Sequence, residues 1–321
     1  MNPIEIAPKR PLKTAHGLIA IMACLMLAGC CTQMHCDPAS HAAVRDYIDE
    51  FVGHWGNGNT GELIKLFTED GIRVVSREQL PATGRAAIAR TFETGFADEG
   101  FKGASLHGVV TEARTLENDL VLAHGTWHVK DAKGALALEG KWGNVFEIKD
   151  GKVRMIMESA HANIGEDFDR SIYATMPRRT LSAKATGDPR MVKAVQASVD
   201  RYIAGIDGND PEKVANEFTE DGIRVVSSTM APSYGRNAIL GAVRAELAAG
   251  SPFEKTTLHA SIHGVRQISP HYLVAHGSWA AKSADGKIVT FGQWGNVLRI
   301  QEDGSVKMLM ESAGGYIPPT S

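Results

Sequence analysis

The chain has 321 residues, 43 % of them apolar, and a formal net charge of −3. This length and composition allow a substantial hydrophobic core, and the acidic balance argues against a nucleic-acid partner. All four cysteines lie within the first 36 residues, so no later segment can hold a disulfide or a thiolate metal site. We therefore predict no metal and no cofactor.

The first 29 residues have the organisation of an export signal. Basic residues at positions 9, 10 and 13 precede an apolar run over residues 17–28. This run is too short to span a bilayer, which needs about 20 residues, and a basic segment followed by a short apolar run is typical of a cleaved signal peptide. We predict that residues 1–29 direct the chain out of the cytoplasm.

A short motif ends this apolar run. Residues 27–30, Leu-Ala-Gly-Cys, resemble the lipobox of bacterial lipoproteins, which implies that Cys30 is acylated and becomes the new N-terminus. Cys31 rather than an aspartate comes next, and the resemblance then implies an anchor in the outer membrane, with the protein facing the periplasm. The alternative is an ordinary secretory signal followed by a chance cysteine. Residues 30–40 are predicted to be a tether.

The rest of the chain repeats itself once. Ten residues that begin at Phe67 recur without a gap from Phe218, and Ala-His-Gly, Trp-Gly-Asn-Val and Met-Glu-Ser segments recur later in the same order. The offset between the copies drifts only from 151 to 153 residues, so both copies should share one fold. We predict domains at 41–163 and 190–317, joined by a polar linker at 164–189.

Each copy has predicted helices first and strands after. Apolar residues at helical spacing predict a long opening helix, and Asn59 and Asp210 are expected to cap a short second one. An Ile-Arg-Val-Val segment then predicts a strand, and Gly84 and Gly235 precede a third helix. Four further strands are predicted in the first copy, at about 105–114, 120–130, 138–149 and 153–160. This order predicts an α+β fold, with a curved antiparallel sheet wrapped over N-terminal helices in each copy.

This order of elements, with Phe-Thr-Glu-Asp-Gly at the first strand and Gly-Arg at the third helix, resembles the nuclear transport factor 2-like superfamily. Within it, the SnoaL-like and SgcJ/EcaC-type proteins are the most similar. The resemblance covers both repeats and implies two tandem cone-shaped domains, each open at one end to a small, mostly hydrophobic ligand. Ketosteroid isomerases, polyketide cyclases and dehydratases all have this fold, so the fold alone does not define the function.

The isomerases of this superfamily imply two hydrogen-bonding positions in each copy. Their oxyanion-hole tyrosine corresponds to Tyr47 and Tyr202, and their second donor, a protonated acid, corresponds to Asn144 and Asn296. An asparagine can donate the same hydrogen bond without needing a raised pKa. The resemblance therefore implies that each tyrosine and asparagine converge on one ligand oxygen inside a shared cavity.

The catalytic base of the isomerases is missing from both copies. The positions that correspond to their aspartate are Val75 and Val226, which are expected to line the cavities. Without that carboxylate, a proton next to a carbonyl has no acceptor. We therefore predict ligand-binding sites that lack the usual isomerase chemistry.

Two histidines are candidates for a substitute base. His124 and His276 occupy matched positions in the middle of a predicted strand, and a neutral imidazole there could accept a proton near pH 7. The alternative, favoured because no carboxylate lies nearby in the strand, is a half-buried histidine bonded to a neighbouring strand. Arg73, Arg224, Arg85 and Arg236 could meet an anionic ligand, but salt bridges with the acidic residues of the repeated turns are the favoured prediction.

Three classes of function follow from these features. The first, which we take as the working interpretation, is a membrane-anchored protein that binds a small hydrophobic molecule in both domains. The second is a lyase, isomerase or cyclase that uses His124 or His276 as an acid or base. The third is a non-catalytic interaction module, in which the two repeats pack as an intramolecular pseudo-dimer and side chains fill the pockets.

The lipobox motif gives a direct test of the anchor. We expect Cys30→Ser to abolish labelling by radioactive palmitate and to release or mislocalise the protein, because the thiol that accepts the lipid is removed. Metabolic labelling followed by membrane fractionation measures both effects. Unchanged labelling of the variant would contradict the prediction.

Overall fold

The computed structural model describes residues 37–316 except 79, 118, 163, 165–169, 177–179, 230 and 252. The predicted signal peptide, Cys30 and most of the predicted tether lie outside the described residues. No helix within them is long and apolar enough to cross a membrane.

Seven α-helices and two short 3-10 helices, Ile64–Leu66 and Glu99–Phe101, occur in the described residues. The two long opening helices begin in the same way: Asp37 and Asp188 each cap the helix with a carboxylate that accepts a backbone N–H, and a proline follows in the first turn. The first of them begins at Pro38, inside the segment predicted to be a tether. The helices are α1 Pro38–Gly56, α2 Thr60–Leu63, α3 Arg85–Ala97, α4 Ser171–Ala174, α5 Pro189–Asp207, α6 Pro211–Ala215 and α7 Gly235–Glu246.

The strands belong to two sheets, one for each repeat. In the first sheet they are β1 Phe67–Val75, β2 Ala82–Thr83, β3 Ser105–Glu117, β4 Leu120–Lys130, β5 Leu136–Lys149 and β6 Lys152–His161. In the second they are β7 Thr180–Thr186, β8 Phe218–Val226, β9 Ser233–Tyr234, β10 Thr256–Gln267, β11 Tyr272–Ser283, β12 Ile288–Ile300 and β13 Val306–Gly315. The predicted α+β class with two tandem helix-backed sheets is confirmed.

The sheets are mixed rather than purely antiparallel. Their strand orders are β2-β1-β6-β5-β4-β3 and β7-β10-β11-β12-β13-β8-β9. The meander from β3 to β6 is antiparallel as predicted, but β1 pairs with β6 in parallel, as β8 does with β13. The reason is that helix α3 or α7 follows each first strand and carries the chain to the far edge of the sheet, so the meander returns in the same direction.

The predicted linker contributes to the second sheet. Helix α4 lies within it, and β7 forms an edge of the sheet by pairing in parallel with β10. Tyr173 of α4 is fully buried against Phe291 and lies in a cluster with Met176, Ile164 and Tyr316. The expectation of a purely polar connection between the repeats is therefore wrong for these residues.

One face of each sheet packs against its own helices. In the first repeat this core is aromatic, and Phe51 of α1, Phe67 of β1 and Phe92 of α3 are in mutual ring contact. In the second repeat the corresponding core is mostly aliphatic, with Val195, Val214, Phe218, Ile239 and Val243 fully or almost fully buried.

The other faces of the two sheets pack against each other. Aliphatic side chains from both repeats form one continuous buried cluster there, in which each sheet excludes water from the other. Its members include Ile72, Val74, Val145, Met157, Ile223, Val225, Val297 and Met310.

The last strands of the two repeats are in direct contact. Ser159 Oγ donates to the Ser312 carbonyl oxygen at 3.3 Å, and Ser312 Oγ donates to the Ser159 carbonyl oxygen at 3.2 Å. A Cβ at Gly295 would lie only 2.9 Å from Ser159 Oγ, and one at Gly143 only 3.1 Å from Ser312 Cβ. The glycine of each repeated Trp-Gly-Asn segment is therefore needed for this contact.

Ion pairs across the interface are also matched. Arg114 contacts the Asp221 carboxylate at 3.4 Å, and its counterpart Arg266 contacts Asp70 at 2.5 Å. Both arginines also donate to the backbone carbonyl oxygen of the same aspartate. The acidic turns of the repeated Phe-Thr-Glu-Asp-Gly segments thus bind the opposite repeat, and the two repeats are related by an approximate two-fold symmetry.

Gly314→Ala should test this interface. A Cβ at Gly314 would lie 2.3 Å from the Cβ of buried His161 in the other repeat. We expect this overpacking to lower the free energy of unfolding by about 1–3 kcal/mol. As a control, Gly241→Ala on the open side of α7 meets nothing within 4 Å and should stabilise the helix by about 0.5–1 kcal/mol. Urea denaturation measures both. Equal stability of the two variants would contradict the packing.

Candidate functional site

Each repeat contains an open cavity between its helices and the inner face of its sheet. The first cavity has a volume of about 620 Å³ and the second about 360 Å³. Both are within or near the range of small-molecule sites in proteins. The two cavities are called cavity 1 and cavity 2 below, after the repeat in which they lie.

A tryptophan lines each cavity at a matched position, Trp142 and Trp294. Its indole Nε1 donates to a carbonyl oxygen of the neighbouring strand, at 3.2 Å to Thr126 in the first repeat. The ring covers a glycine of that strand, since a Cβ at Gly125 or Gly277 would lie 2.6 Å from the indole. The repeated Ala-His-Gly and Trp-Gly-Asn segments therefore fit together to form one cavity wall.

A buried arginine and glutamate form the polar part of cavity 1. Arg73 Nε lies 2.8 Å from Glu158 Oε2, and both side chains are about nine-tenths buried. The guanidinium also donates to Thr91 Oγ1 at 3.0 Å, contacts the Glu78 carboxylate, and lies over the Phe92 ring. One cation is thus shared by two carboxylates at an otherwise apolar wall.

Cavity 2 contains the matched pair. Arg224 Nε donates to Glu311 Oε2 at 2.6 Å, and its two terminal nitrogens donate to Glu246 at 2.6 and 2.9 Å. The Tyr202 hydroxyl donates to the other oxygen of Glu311 at 3.1 Å. Both carboxylates therefore have hydrogen-bond donors, and the tyrosine joins the network.

Burial dominates the titration of these groups. Desolvation raises the pKa of Glu158 despite the opposing effect of Arg73. Desolvation and the nearby Glu311 carboxylate also raise the pKa of Tyr202 above its ordinary value. Tyr202 therefore stays protonated at neutral pH and remains a hydrogen-bond donor at the wall of cavity 2.

The predicted valines and asparagines line the cavities. Val75 and Asn144 line cavity 1, and Val226 and Asn296 line cavity 2. The Asn144 side-chain oxygen accepts the Ser159 backbone N–H at 2.9 Å, where the backbone ladder between β5 and β6 is interrupted. Each asparagine therefore closes a gap in its sheet, and its amide NH₂ is the group left for a ligand.

Asn296 repeats this arrangement with a slightly longer bond. Its oxygen accepts the Ser312 N–H at 3.2 Å, and its Nδ2 lies 3.5 Å from Met308 Sδ, a weak acceptor. The Asn296 amide NH₂ therefore has only a weak acceptor and can donate a hydrogen bond to a ligand at the cavity wall.

The two tyrosines differ, which corrects the expectation of matched sites. Tyr202 lines cavity 2, but Tyr47 does not line cavity 1. The Tyr47 ring packs against Phe51 and Phe146, and its hydroxyl donates to the Leu66 carbonyl oxygen at 3.1 Å. Tyr47 and Asn144 therefore do not converge on one ligand oxygen in the first repeat, because the backbone already takes the hydroxyl proton.

Neither candidate histidine lines a cavity. His124 lies on the opposite face of its sheet, with Nε2 3.7 Å from Glu112 on the adjacent strand and its ring beside Tyr234 of the second repeat. His276 is buried, and desolvation lowers its pKa to about 3, so it is neutral at pH 7. The candidate role as a substitute base, which was the less favoured alternative, is contradicted for both because the strand alternation points them away from the cavities.

The carboxylates of the cavities were not predicted. Glu158 and Glu311 lie in the repeated Met-Glu-Ser segments, and a charged residue recurring in an apolar strand is the signal that could have identified them. Arg73 and Arg224 pair with these glutamates rather than with the preceding acidic turns, which instead contact the opposite repeat. The described residues contain no cluster of ligands suited to a metal ion.

Comparison with solved structures finds many similar folds. One is a protein of unknown function with a cystatin-like fold from Nostoc punctiforme, with 12 % identity, a TM-score of 0.36, and coverage of 40 % of this chain and 96 % of that chain. A ketosteroid isomerase-like protein from Erwinia carotovora has 16 % identity and a TM-score of 0.33, and the match covers 41 % and 100 % of the two chains.

An NTF2-like protein with a cystatin-like fold from Novosphingobium aromaticivorans has 21 % identity and a TM-score of 0.32, with coverage of 50 % of this chain and 98 % of that chain. A scan against protein-family models finds no match, and a search of curated proteins finds none either.

Removing the buried guanidinium of Arg224 should destabilise the second repeat. Arg224→Leu leaves Glu246 and Glu311 without their shared partner, so we expect a loss of about 3–5 kcal/mol in unfolding free energy. Arg244→Leu, which breaks an exposed pair with Glu212, should cost less than about 1 kcal/mol. Thermal or urea unfolding compares them. If Arg224→Leu is as stable as Arg244→Leu, the buried ion pairs of Arg224 do not stabilise the fold and the prediction is wrong.

Proposed function

We propose that the protein binds a small, mostly hydrophobic molecule in each of its two cavities. The observation that carries this proposal is the presence, in both repeats, of an open cavity with apolar walls and a few buried polar groups. Apolar lining supplies affinity by excluding water from the ligand, and a few fixed polar groups determine its orientation.

The polar groups indicate what the ligand of cavity 2 should carry. The Asn296 amide can donate a hydrogen bond, and the Tyr202 oxygen, whose proton goes to Glu311, and the Glu311 carboxylate can each accept one. A hydrophobic body with one carbonyl or hydroxyl group satisfies this arrangement. A ligand without polar atoms would leave the Asn296 amide with only the weak acceptor Met308 Sδ, which costs free energy.

Binding is favoured over the catalytic alternative that rests on histidine. His124 and His276 face away from the cavities, so neither can reach a substrate held there. The positions of the usual isomerase base are valines in both repeats. The cavity glutamates are each paired with an arginine, so one oxygen of each carboxylate is already engaged.

We further propose that the two cavities work at the cell envelope. The support is the lipobox-like motif that ends at Cys30, which would attach the folded repeats to a membrane through a short segment. A lipid-anchored protein with apolar cavities would meet hydrophobic molecules that partition into the same membrane.

Matched cavity-filling variants should test binding. Ala160 and Ala313 occupy corresponding positions and line cavity 1 and cavity 2 respectively. With the fluorescent neutral probe N-phenyl-1-naphthylamine, we expect two bound molecules per wild-type chain, one in either Ala160→Phe or Ala313→Phe, and none in the double variant. Native mass spectrometry counts the bound molecules independently.

An exposed substitution, Ala137→Phe, serves as the control and should retain both molecules. Absence of probe binding to the wild-type protein, or full binding by the double variant, would contradict the proposal.

A further inference from the structure

Cavity 1 is lined by two exposed cations that cavity 2 lacks. Arg77 and Arg90 are exposed and line cavity 1. In the repeat alignment the corresponding residues are Ser228 and Gly241, so cavity 2 has no cation at either position. Among the described residues, Arg224 is the arginine that lines cavity 2, and its guanidinium is fully used by two glutamates.

The two arginines of cavity 1 are available for a ligand. Among the residues that the structure describes, neither Arg77 nor Arg90 has a carboxylate within ion-pair distance; Arg77 contacts the Phe101 ring, with its guanidinium carbon 5.5 Å from the centroid. The remaining acid at this end, Asp98, accepts the Gly100 backbone N–H at 2.9 Å. Two exposed guanidinium groups that line an apolar cavity and have no carboxylate partner among the described residues form a site for an anion.

The lining of cavity 1 is also more aromatic. Trp55 and Phe96 are in ring contact with each other at 5.7 Å between centroids, and the corresponding residues of the second repeat are Ile206 and Leu247. Flat rings favour stacked or edge contacts with a flat ligand. The larger volume of cavity 1 also leaves room for more than one fused ring.

We infer that cavity 1 selects an aromatic organic anion, with its rings among the aromatic side chains and its anionic group at Arg77 and Arg90, whereas cavity 2 selects a neutral ligand. This inference rests on the proposed binding function and adds a ligand class to one of its two sites. The two repeats would therefore serve different ligands despite their common fold.

Two fluorescent probes of matched structure can test this selectivity. 8-Anilinonaphthalene-1-sulfonate has the same aromatic skeleton as N-phenyl-1-naphthylamine and differs by one sulfonate, so the ratio of their affinities reports on the anionic group alone. In Ala313→Phe, where only cavity 1 is open, we expect the anionic probe to bind more tightly than the neutral one. The preference should decrease as salt is added, because exposed charges are screened.

Arg77→Gln combined with Arg90→Gln in the Ala313→Phe background should reduce this ratio at least fivefold at low salt, about the effect of two partly exposed charge contacts. The control is Arg45→Gln combined with Arg190→Gln, which removes the same charge at exposed helix positions and should leave the ratio unchanged. In Ala160→Phe, where only cavity 2 is open, the neutral probe should bind more tightly.

An unchanged ratio in the Arg77 and Arg90 double variant, or an anion preference that survives in Ala160→Phe, would overturn the inference while leaving the proposed function intact. Failure of the neutral probe to bind any of these proteins would instead overturn the proposed function, and the inference with it.

Discussion

The structure depends on how the two sheets bury their outer faces. Each sheet has one helix layer, so its second face would expose a row of aliphatic side chains unless something else covered it. Here the other repeat covers it, through the shared cluster around Val74, Val145 and Met157. The close contact between Ser159 and Ser312 requires the glycines at 143 and 295. Because the interface uses the outer faces, the inner faces and helices remain free to form cavities.

One strand in each repeat serves both the interface and the cavity. Successive side chains of a strand point to opposite faces, and along β6 Met157 and Ser159 face the other repeat whereas Glu158 and Ala160 line cavity 1. A register shift by one residue would exchange the two sets and place a carboxylate in the aliphatic interface. The interface and the polar wall of the cavity therefore fix each other's geometry.

Much of the fold could be predicted from the sequence, because helical periodicity, capping residues and β-branched runs are local signals. The residues that were misassigned depend on neighbours distant in sequence. Tyr47 lies in the predicted helix, but its hydroxyl partner is the Leu66 carbonyl, and His124 has its carboxylate neighbour, Glu112, on an adjacent strand. The packing of α1 decides the first contact and strand register decides the second, and a single sequence gives neither. Strand β7 was missed because it forms by pairing with β10, which lies far along the chain.

The cavities differ partly because of how each repeat pairs its buried arginine. In both repeats the arginine of the first strand pairs with a second carboxylate, but this carboxylate comes from a different element in each repeat. In the first repeat it is Glu78, in the loop after β1, and in the second it is Glu246, at the end of α7. The residue that corresponds to Glu246 in the first repeat is Gly95, which lines cavity 1 and occupies almost no space. Because a loop residue, Glu78, pairs with Arg73, helix α3 carries no glutamate at position 95. The space beside Gly95 therefore stays open, which contributes to the larger volume of cavity 1.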